Sequence, residues 1–267
     1  ERGNGTPLQE NKTGYAGLSA AWNGVTVSGN GGWNVYGLAR SQLFESNFSR
    51  VNSDRNSEKL VLRQRVPATD FGAGGHGWSS FAQDTSKISY GGDWRHVNGQ
   101  SKEYVVFSGA TRTPGGIQDS GGGFGAMDWQ ASPSLAVSAG FRLDAWHNEP
   151  HDTLTDARSS NAVSPRVGIS WRSANGATLR GSGYSAFRAP TLNELYRQFR
   201  VGNVATAANP NLVEERLWGA EVGGGWSGSI GKSNTTLTID GTFYWNSLDD
   251  AIINATVSVS PKLVSRR

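Results

Sequence analysis

Cysteine is absent from the 267 residues, and methionine occurs once. Without cysteine the chain has no disulfide framework and no Cys-based zinc or redox site, although this absence assigns it to no compartment. Long apolar runs are also missing, whereas a membrane-spanning helix needs about 20 consecutive apolar residues. Mean hydropathy is −0.47, so averages alone describe a soluble domain.

A strong charge of one sign is lacking as well. The formal net charge is +3, and basic residues alternate with acidic ones, as in Arg142 and Asp144. A nucleic-acid-binding surface needs a basic stripe or patch. We therefore predict no nucleic-acid partner.

Glycine and tryptophan are abundant, with 36 and 10 residues. Glycine permits close strand packing, and tryptophan is enriched where a protein meets the membrane interface. A transmembrane β-barrel keeps a low mean hydropathy because only every second strand residue faces lipid. A secreted glycan-binding β protein would show the same two enrichments.

Alternation of apolar and polar residues runs through most of the chain and predicts about eleven antiparallel strands, the last over residues 251–259, with no helix longer than two turns. We expect an interruption near Pro67 in a strand over residues 57–80, since proline lacks the ladder N–H. The alternation is most regular in residues 237–245, where the two faces of one strand differ clearly. One face has Leu237, Ile239, Phe243 and Trp245, and the other has Thr238, Asp240, Thr242 and Tyr244.

Charged side chains of the strands fall on the polar faces. In a barrel they would line the lumen, and in a soluble β-sandwich they would face solvent, so alternation alone leaves both architectures open. These residues are Arg40, Asp93, Arg95, Asp128, Arg142, Asp144, Arg172, Arg180, Glu221 and Asp240.

Connections alternate in length: the turns near Ser132, Ala174 and Ser229 are short, and the segments between them are long. Residues 97–119, which are polar and Gly-rich, predict another long loop after a strand. Outer-membrane barrels have short periplasmic turns and long external loops. If the chain is part of such a barrel, the long segments, including residues 187–212, are external.

The stretch over residues 184–215 interrupts the strand pattern. Thr191 and Glu194 form a T-x-x-E capping box, which predicts a short helix from about Leu192 to Arg197. Asn209-Pro210 predicts a turn, Leu212 offers an apolar anchor, and Glu214-Glu215 open the next strand.

Residues with catalytic or metal-binding potential are scattered. His147 and His151 have the spacing of helical metal ligands, but Glu149-Pro150 breaks a helix, and a flexible surface loop is expected there. His76 and His96 have no second candidate ligand, and no G-x-S-x-G elbow occurs. We predict no catalytic, metal or cofactor site.

Several motifs together resemble the TonB-dependent outer-membrane receptors. They are FRAPTLNELY, FRVGN and NPNL in the interrupting stretch, RNSEKLVLRQRVPA from Arg55, YGGDWRHVNGQSKEY from Tyr90 and FYWNSLDDAI from Phe243. Together they are distributed over most of the chain, from residue 55 to residue 252. Glu214 stands where the family usually has a proline, which affects only the local strand entry.

The resemblance implies that residues 1–267 form part of an antiparallel transmembrane β-barrel, about eleven strands of a larger plugged barrel whose plug domain and remaining strands are absent. It implies a bacterial outer-membrane receptor, and no enzyme, for TonB-dependent uptake of a bulky scarce solute such as a ferric siderophore or cobalamin. Expected partners are TonB, through the missing plug and TonB box, outer-membrane lipid and that small molecule. No cofactor is expected.

Two alternatives to the receptor stay open: an outer-membrane enzyme or adhesin barrel, and a soluble carbohydrate-binding β-sandwich. Aromatic and arginine side chains suit a bulky anionic chelate. The candidates for ligand contact are Tyr196, Arg197, Phe199, Arg200 and Asn203. Alternatively, Tyr196 and Phe199 anchor the helix against the barrel wall.

Overall fold

A computed structural model describes residues 2–3, 5–201, 204–229, 235–260 and 263–266. No helix in these residues is long and apolar enough to cross a membrane. The strands are β1 (Arg2–Gly3), β2 (Glu10–Val25), β3 (Gly31–Val51), β4 (Glu58–Phe81), β5 (Ser86–Gln100), β6 (Lys102–Val105), β7 (Ala110–Arg112), β8 (Gly115–Ser132), β9 (Leu135–Pro150), β10 (Arg158–Arg172), β11 (Ala177–Arg188), β12 (Phe199–Val201), β13 (Val204–Thr206), β14 (Glu215–Ser229), β15 (Thr236–Asp249), β16 (Thr256–Ser260) and β17 (Leu263–Arg266). The helix is α1 (Leu192–Tyr196).

One sheet of 13 strands contains most of the chain, in the order β1-β2-β3-β4-β5-β8-β9-β10-β11-β14-β15, with β6 paired to β4 and β7 paired to β6. Neighbouring strands along this path are antiparallel, and almost every neighbour in space is also the next long strand in sequence. This confirms the predicted all-β antiparallel fold. Ten of the eleven predicted strands lie on this path, and its remaining member is the two-residue β1.

Apolar side chains of the sheet lie on its surface. In the described residues the buried apolar side chains are Trp146, Ala162 and Leu195, whereas Leu18 and Phe243 are 76% and 71% exposed. A β-sandwich packs the apolar faces of two sheets against each other, and among the described residues no second sheet packs against this one. An outward apolar face is the arrangement of a barrel wall in lipid.

The register divides the long strands into a polar face and an apolar face. Arg40 lies opposite Asp70, and Arg180 opposite Gly223, whose partner on β15 is Thr242. Followed across all ladders, the pairing puts eight sequence-predicted residues on the polar face: Arg40, Asp93, Arg95, Arg142, Asp144, Arg180, Glu221 and Asp240.

Connections of different length leave the sheet at opposite edges. Short turns form one edge, called the turn edge, at residues 26–30, 82–85, 133–134 and 173–176. The other edge, called the loop edge, carries residues 52–57, 101–114, 151–157 and 189–214. The alternation of short and long connections holds along the whole sheet.

Strand β4 is not interrupted at Pro67, but the irregularity expected in its ladder occurs there on one side. Strand β4 runs continuously through Pro67, which lies opposite Leu43 of β3, and the register shift of this ladder falls between Phe48 and Ser49. On its other side, Pro67 lies between the β6 ladder, which reaches Arg65, and the β5 ladder, which begins at Ala68. No ladder on that side therefore needs the missing N–H.

Two further strand predictions differ from the structure. Residues 97–119, predicted as one long loop, contain the end of β5, the hairpin of β6 and β7 and the start of β8. The last predicted strand is shorter, and β16 pairs with β17 in a separate four-stranded sheet that also contains β12 and β13. Strands near the loop edge are polar and Gly-rich. They lack the alternation of apolar and polar residues that identifies the rest of the sheet in the sequence.

Candidate functional site

Residues 189–214, here called the capped loop, fold over the polar face at the loop edge. Gln118 Nε2 on β8 donates to the Pro190 carbonyl at 3.2 Å and to Asn148 Oδ1 on β9 at 2.8 Å. Leu195 of α1 is 3% exposed. The loop is therefore held against the strands by a buried leucine and by a hydrogen bond from the Gln118 side chain to its backbone.

The helix begins with the predicted capping box. Thr191 N donates to Glu194 Oε2 at 2.8 Å, and Glu194 N donates to Thr191 Oγ1 at 3.3 Å. Arg188, the last residue of β11, donates to both Glu194 oxygens and also pairs with Glu215. Burial alone would raise the pKa of Glu194, but the hydrogen bonds from Arg188 and Thr191 outweigh it and lower the pKa below its ordinary value.

Arg197 ends the helix and contacts the hairpin of β6 and β7. Its Nε donates to Glu103 Oε1 at 2.9 Å, and the two side chains are 18% and 5% exposed. Ser101 Oγ donates to the same Glu103 oxygen at 3.0 Å, and Gln64 Nε2 donates to Ser101 Oγ at 2.9 Å. This buried polar cluster joins two loop-edge segments that are far apart in sequence.

Tyr196 packs against the backbone of β8. Its ring lies so close to Gly116 that a Cβ on that glycine would approach Tyr196 Cε2 to 2.8 Å. Burial raises the pKa of the Tyr196 hydroxyl, and the negative charge of Asp152 raises it further. Gly116 thus makes room for an aromatic ring that is partly buried and partly accessible.

The remaining three candidates lie beyond the helix. Phe199 and Arg200 belong to strand β12, which pairs with β13. Asn203 lies outside the described residues. The structure therefore brings Tyr196 and Arg197 to the polar face, with Arg197 engaged by Glu103.

Below the capped loop, aromatic and acidic residues form its base. The rings of Trp146 and Phe187 stack with centroids 5.1 Å apart, and Trp146 is 5% exposed. Glu214 accepts a hydrogen bond from Ser160 at 3.1 Å, and Arg158 Nη1 donates to the Pro210 carbonyl at 3.1 Å. The glutamate at the proline position of the motif thus ties the end of the capped loop to β10.

Further from the loop edge, charged residues of the polar face form ion pairs, most of them between strands. Asp70 pairs with Arg95 at 2.8 Å and with Arg40 at 3.6 Å. Arg142 pairs with Asp93 at 2.8 Å and with Asp144 at 2.7 Å.

A similar contact links β11 to β15. Arg180 Nη1 donates to Asp240 Oδ2 at 2.9 Å, and its Nη2 donates to Thr242 Oγ1 at 2.7 Å. The polar face therefore carries opposite charges in neighbouring positions, which gives a solute or a protein segment on this face both donors and acceptors.

The histidines contribute no metal centre in the described part of the chain, where no group of three or more His, Cys, Asp or Glu side chains could hold an ion. The expectation of a flexible loop at His147 is wrong. His147 lies in β9, and its Nδ1 is 2.8 Å from Ser159 Oγ. His151 follows the strand, in the turn before β10.

Three important residues were missed from the sequence: Glu103, Trp146 and Arg188. Arg188 stands in the FRAP motif, and its place just before the capping box is a usable signal. Trp146 lies on the polar face of β9, at the same parity as Arg142 and Asp144, and an aromatic ring on that face is a usable signal. No local sequence pattern identifies Glu103, because its partner Arg197 is distant in sequence.

Comparisons with known proteins agree with this architecture. Residues 2–264 match the family described as "TonB dependent receptor-like, beta-barrel". No curated protein matches the chain.

Among solved structures, the copper transporter OprC has a TM-score of 0.68 at 17% identity, with 97% of this chain and 42% of that chain covered. The ferric-catecholate import receptor Fiu from E. coli K12 has a TM-score of 0.66 at 12% identity, with 98% and 44% covered. The ferric yersiniabactin uptake receptor FyuA from Yersinia pestis has a TM-score of 0.64 at 11% identity, with 98% and 38% covered. The chain thus spans about two fifths of the length of these proteins, and the likeness concerns the fold.

Proposed function

Because the chain belongs to the family of TonB-dependent receptor β-barrels, an outer-membrane family of receptors and transporters and not of enzymes, we propose that it forms part of a barrel that imports a bulky, scarce solute. The solute is a ferric siderophore or a cobalamin-like molecule, and import is driven by TonB. The observation that carries the proposal is the position of the capped loop over the polar face of a sheet whose other face is apolar and uncovered.

The apolar face supplies the membrane contact. Strands cross a bilayer only when all backbone groups are paired, which requires a closed barrel. The sheet described here is open, so residues 1–267 supply part of the wall, and other parts of a longer protein supply the remaining strands and the plug. The polar face then lines the lumen, and its ion pairs, such as Arg142 with Asp93, face the plug.

The loop edge is the external side in this proposal, because outer-membrane barrels carry their long loops outside. Arg197 holds the capped loop through Glu103, which leaves Tyr196 and the following residues Phe199, Arg200 and Asn203 for the solute. Aromatic faces and guanidinium groups recognise a large anionic chelate without ligating its metal directly.

The solute class is supported by the titles of similar structures. Fiu is named a ferric-catecholate import receptor, FyuA a ferric yersiniabactin uptake receptor, and FpvA is described with bound pyoverdine and iron. OprC, named a copper transporter, gives a reason to include copper in the test.

A binding panel on the complete receptor tests the solute class. Purified receptor is titrated with a ferric catecholate, a ferric hydroxamate, cobalamin and a copper salt, and tryptophan fluorescence is recorded. We expect one ferric chelate or cobalamin to bind at micromolar concentration or below, and Arg200→Gln to weaken it at least about tenfold, since an arginine held against an anionic ligand contributes a charge-assisted hydrogen bond. Binding of none of these solutes, or of copper alone, would contradict the proposed class.

A further inference from the structure

A groove of about 440 Å³ lies outside the proposed solute path, at the loop edge of β2, β3, β4 and β6. Its lining includes Lys12, Glu45, Arg63, Arg65, Lys102 and Tyr104. Lys12 lies opposite Glu45, Glu45 opposite Arg65, and Arg65 opposite Lys102. One row of directly paired residues therefore crosses four strands.

Alternation puts this row on the apolar face. Gln64 and Glu103, the neighbours of Arg65 and Lys102 along their strands, are buried under the capped loop on the polar face. Arg65 and Lys102 are exposed on the other side of the sheet. A solute in the lumen would not reach them, so the groove is distinct from the proposed transport site.

The groove begins where the apolar surface ends. On β3 the apolar face presents Trp33, Val35, Ala39 and Leu43, and Glu45 is the next residue on that face. Ten residue steps from Trp33 to Leu43 span roughly 33 Å along a strand. A tilt of about 45° reduces this to roughly 23 Å, close to the apolar band of about 25 Å in outer-membrane barrels. The row therefore lies at the level of the lipid head groups.

The groove has an excess of positive charge. Arg65 pairs with Glu45 at 3.4 Å, both largely exposed, while Arg63 and Lys102 have no ion pair among the described residues. Arginine presents a planar fork of donors that matches the oxygens of a phosphate, and lysine binds phosphate as a point charge. Tyr104 lies opposite Arg63 and adds an aromatic ring of the kind enriched at membrane interfaces.

We propose that this groove binds the phosphate-bearing head group of an outer-leaflet lipid, whose acyl chains lie along the adjacent apolar face. Charge complementarity favours the phosphate, and continuity with the apolar face favours a lipid over a free anion. The inference rests on the proposed membrane placement and external loop edge, and it is independent of which solute is transported.

The test uses the complete receptor, purified from outer membranes in detergent, and native mass spectrometry with lipopolysaccharide whose lipid A is phosphorylated. The variant Arg63→Gln/Arg65→Gln/Lys102→Gln removes three cations of the groove. The matched control, Arg50→Gln/Lys59→Gln/Arg112→Gln, removes three cations of the same edge that lie outside it. We expect at least about tenfold weaker retention in the groove variant and no change in the control, because each basic residue near an anionic lipid surface strengthens binding several-fold.

Two further arms identify the ligand. Lipopolysaccharide stripped of its lipid A phosphates should bind the wild type about as weakly as the intact form binds the groove variant, and millimolar inorganic phosphate should not displace the intact form. Equal retention by both variants, equal binding of the stripped form, or displacement by inorganic phosphate would each overturn the inference. Heat-modifiable gel mobility establishes that the variants fold, and Lys102→Gln alone provides a milder change with the same expected direction.

Solute uptake measured in the same variants separates this inference from the proposed function. Uptake should be unchanged in the groove variant. Loss of lipid binding with normal uptake supports both proposals, whereas normal lipid binding by a receptor that imports no solute would contradict the transport function alone.

Discussion

Arg197 Nε donates to Glu103 Oε1 at 2.9 Å, although the two residues are 94 positions apart in the chain. The pair joins the end of α1 to the β6–β7 hairpin, and both side chains are largely removed from water. Removing one partner of a buried ion pair leaves an uncompensated charge. The capped loop therefore depends on a contact that lies outside its own sequence.

Replacing Arg197 should release the capped loop. We expect Arg197→Gln to destabilise the docked loop by about 3 kcal/mol, the lower end of the range for a broken buried pair. Hydrogen exchange in the complete receptor tests this. The amides of residues 192–197 should exchange faster in the variant, and those of β9 should exchange at an unchanged rate. Glu45→Gln breaks an exposed pair with Arg65 and is the control. Unchanged exchange in Arg197→Gln would show that the pair does not hold the loop.

The capping box should have a smaller and separable effect. Thr191→Ala removes the acceptor of the Glu194 N–H and should cost the helix about 1 kcal/mol, whereas Thr191→Ser keeps an acceptor and should cost little. Exchange rates of α1 amides in the two variants test this difference. Equal rates would mean that docking through Leu195, and not the cap, maintains the helix.

Acid should loosen the capped loop. The pKa values of Glu194 and Glu214 are lower than their ordinary value of 4.5. Both carboxylates therefore stabilise the docked loop above pH 4.5, and this contribution is lost as the pH falls from there through the folded-state pKa. Exchange of α1 amides, corrected for intrinsic rates, should rise on acidification below about pH 4.5. Glu194→Gln should reduce this rise in exchange. A rise as large in Glu194→Gln as in the wild type would contradict the prediction.

Alternation on β15 predicts opposite accessibility for neighbouring residues. Thr242 accepts a hydrogen bond from Arg180 on the polar face, and Phe243 is 71% exposed on the apolar face. In the complete receptor, Thr242→Cys should react with a water-soluble thiol reagent, and Phe243→Cys should react only with a lipid-soluble one. Because this chain contains no cysteine, its own background is zero. If the water-soluble reagent labelled Phe243→Cys and not Thr242→Cys, the assignment of the two faces would be reversed.

External placement of the loop edge predicts where an antibody reaches the receptor. An epitope tag in residues 204–208 of the complete protein should be detected on intact cells, since long barrel loops are external. A tag in the turn at residues 173–176 should be detected only after the outer membrane is permeabilised. The reverse pattern would place the capped loop on the periplasmic side, and the proposed solute contacts would then be wrong.

Much of the architecture was predictable because strand alternation is a local property. Phe243 and Thr242 reveal the two faces of β15 without any knowledge of their neighbours, and Thr191 with Glu194 predicts α1 within one residue of its observed end. Near the loop edge, beyond the apolar part of the sheet, strand residues no longer alternate between apolar and polar. The pattern therefore does not identify strands there. For this reason the β6–β7 hairpin, where Glu103 lies, was predicted as loop.

Contacts between distant segments were beyond the sequence patterns. The pairing of Arg197 with Glu103 and the stacking of Trp146 on Phe187 depend on how the capped loop folds over the strands. The sequence indicates an irregular ladder at Pro67, but not that it arises because β4 changes partner there from β6 to β5. Such features require the register of the whole sheet.

Energised uptake tests the central claim most directly. Cells that lack the complete receptor are complemented with it, and import of a radiolabelled ferric chelate or cobalamin chosen from the binding panel is followed with and without TonB. We predict that the solute binds the cell surface in both strains and accumulates inside only when the receptor and TonB are both present. Accumulation that is the same without the receptor, or that persists unchanged without TonB, would contradict the proposed transport function.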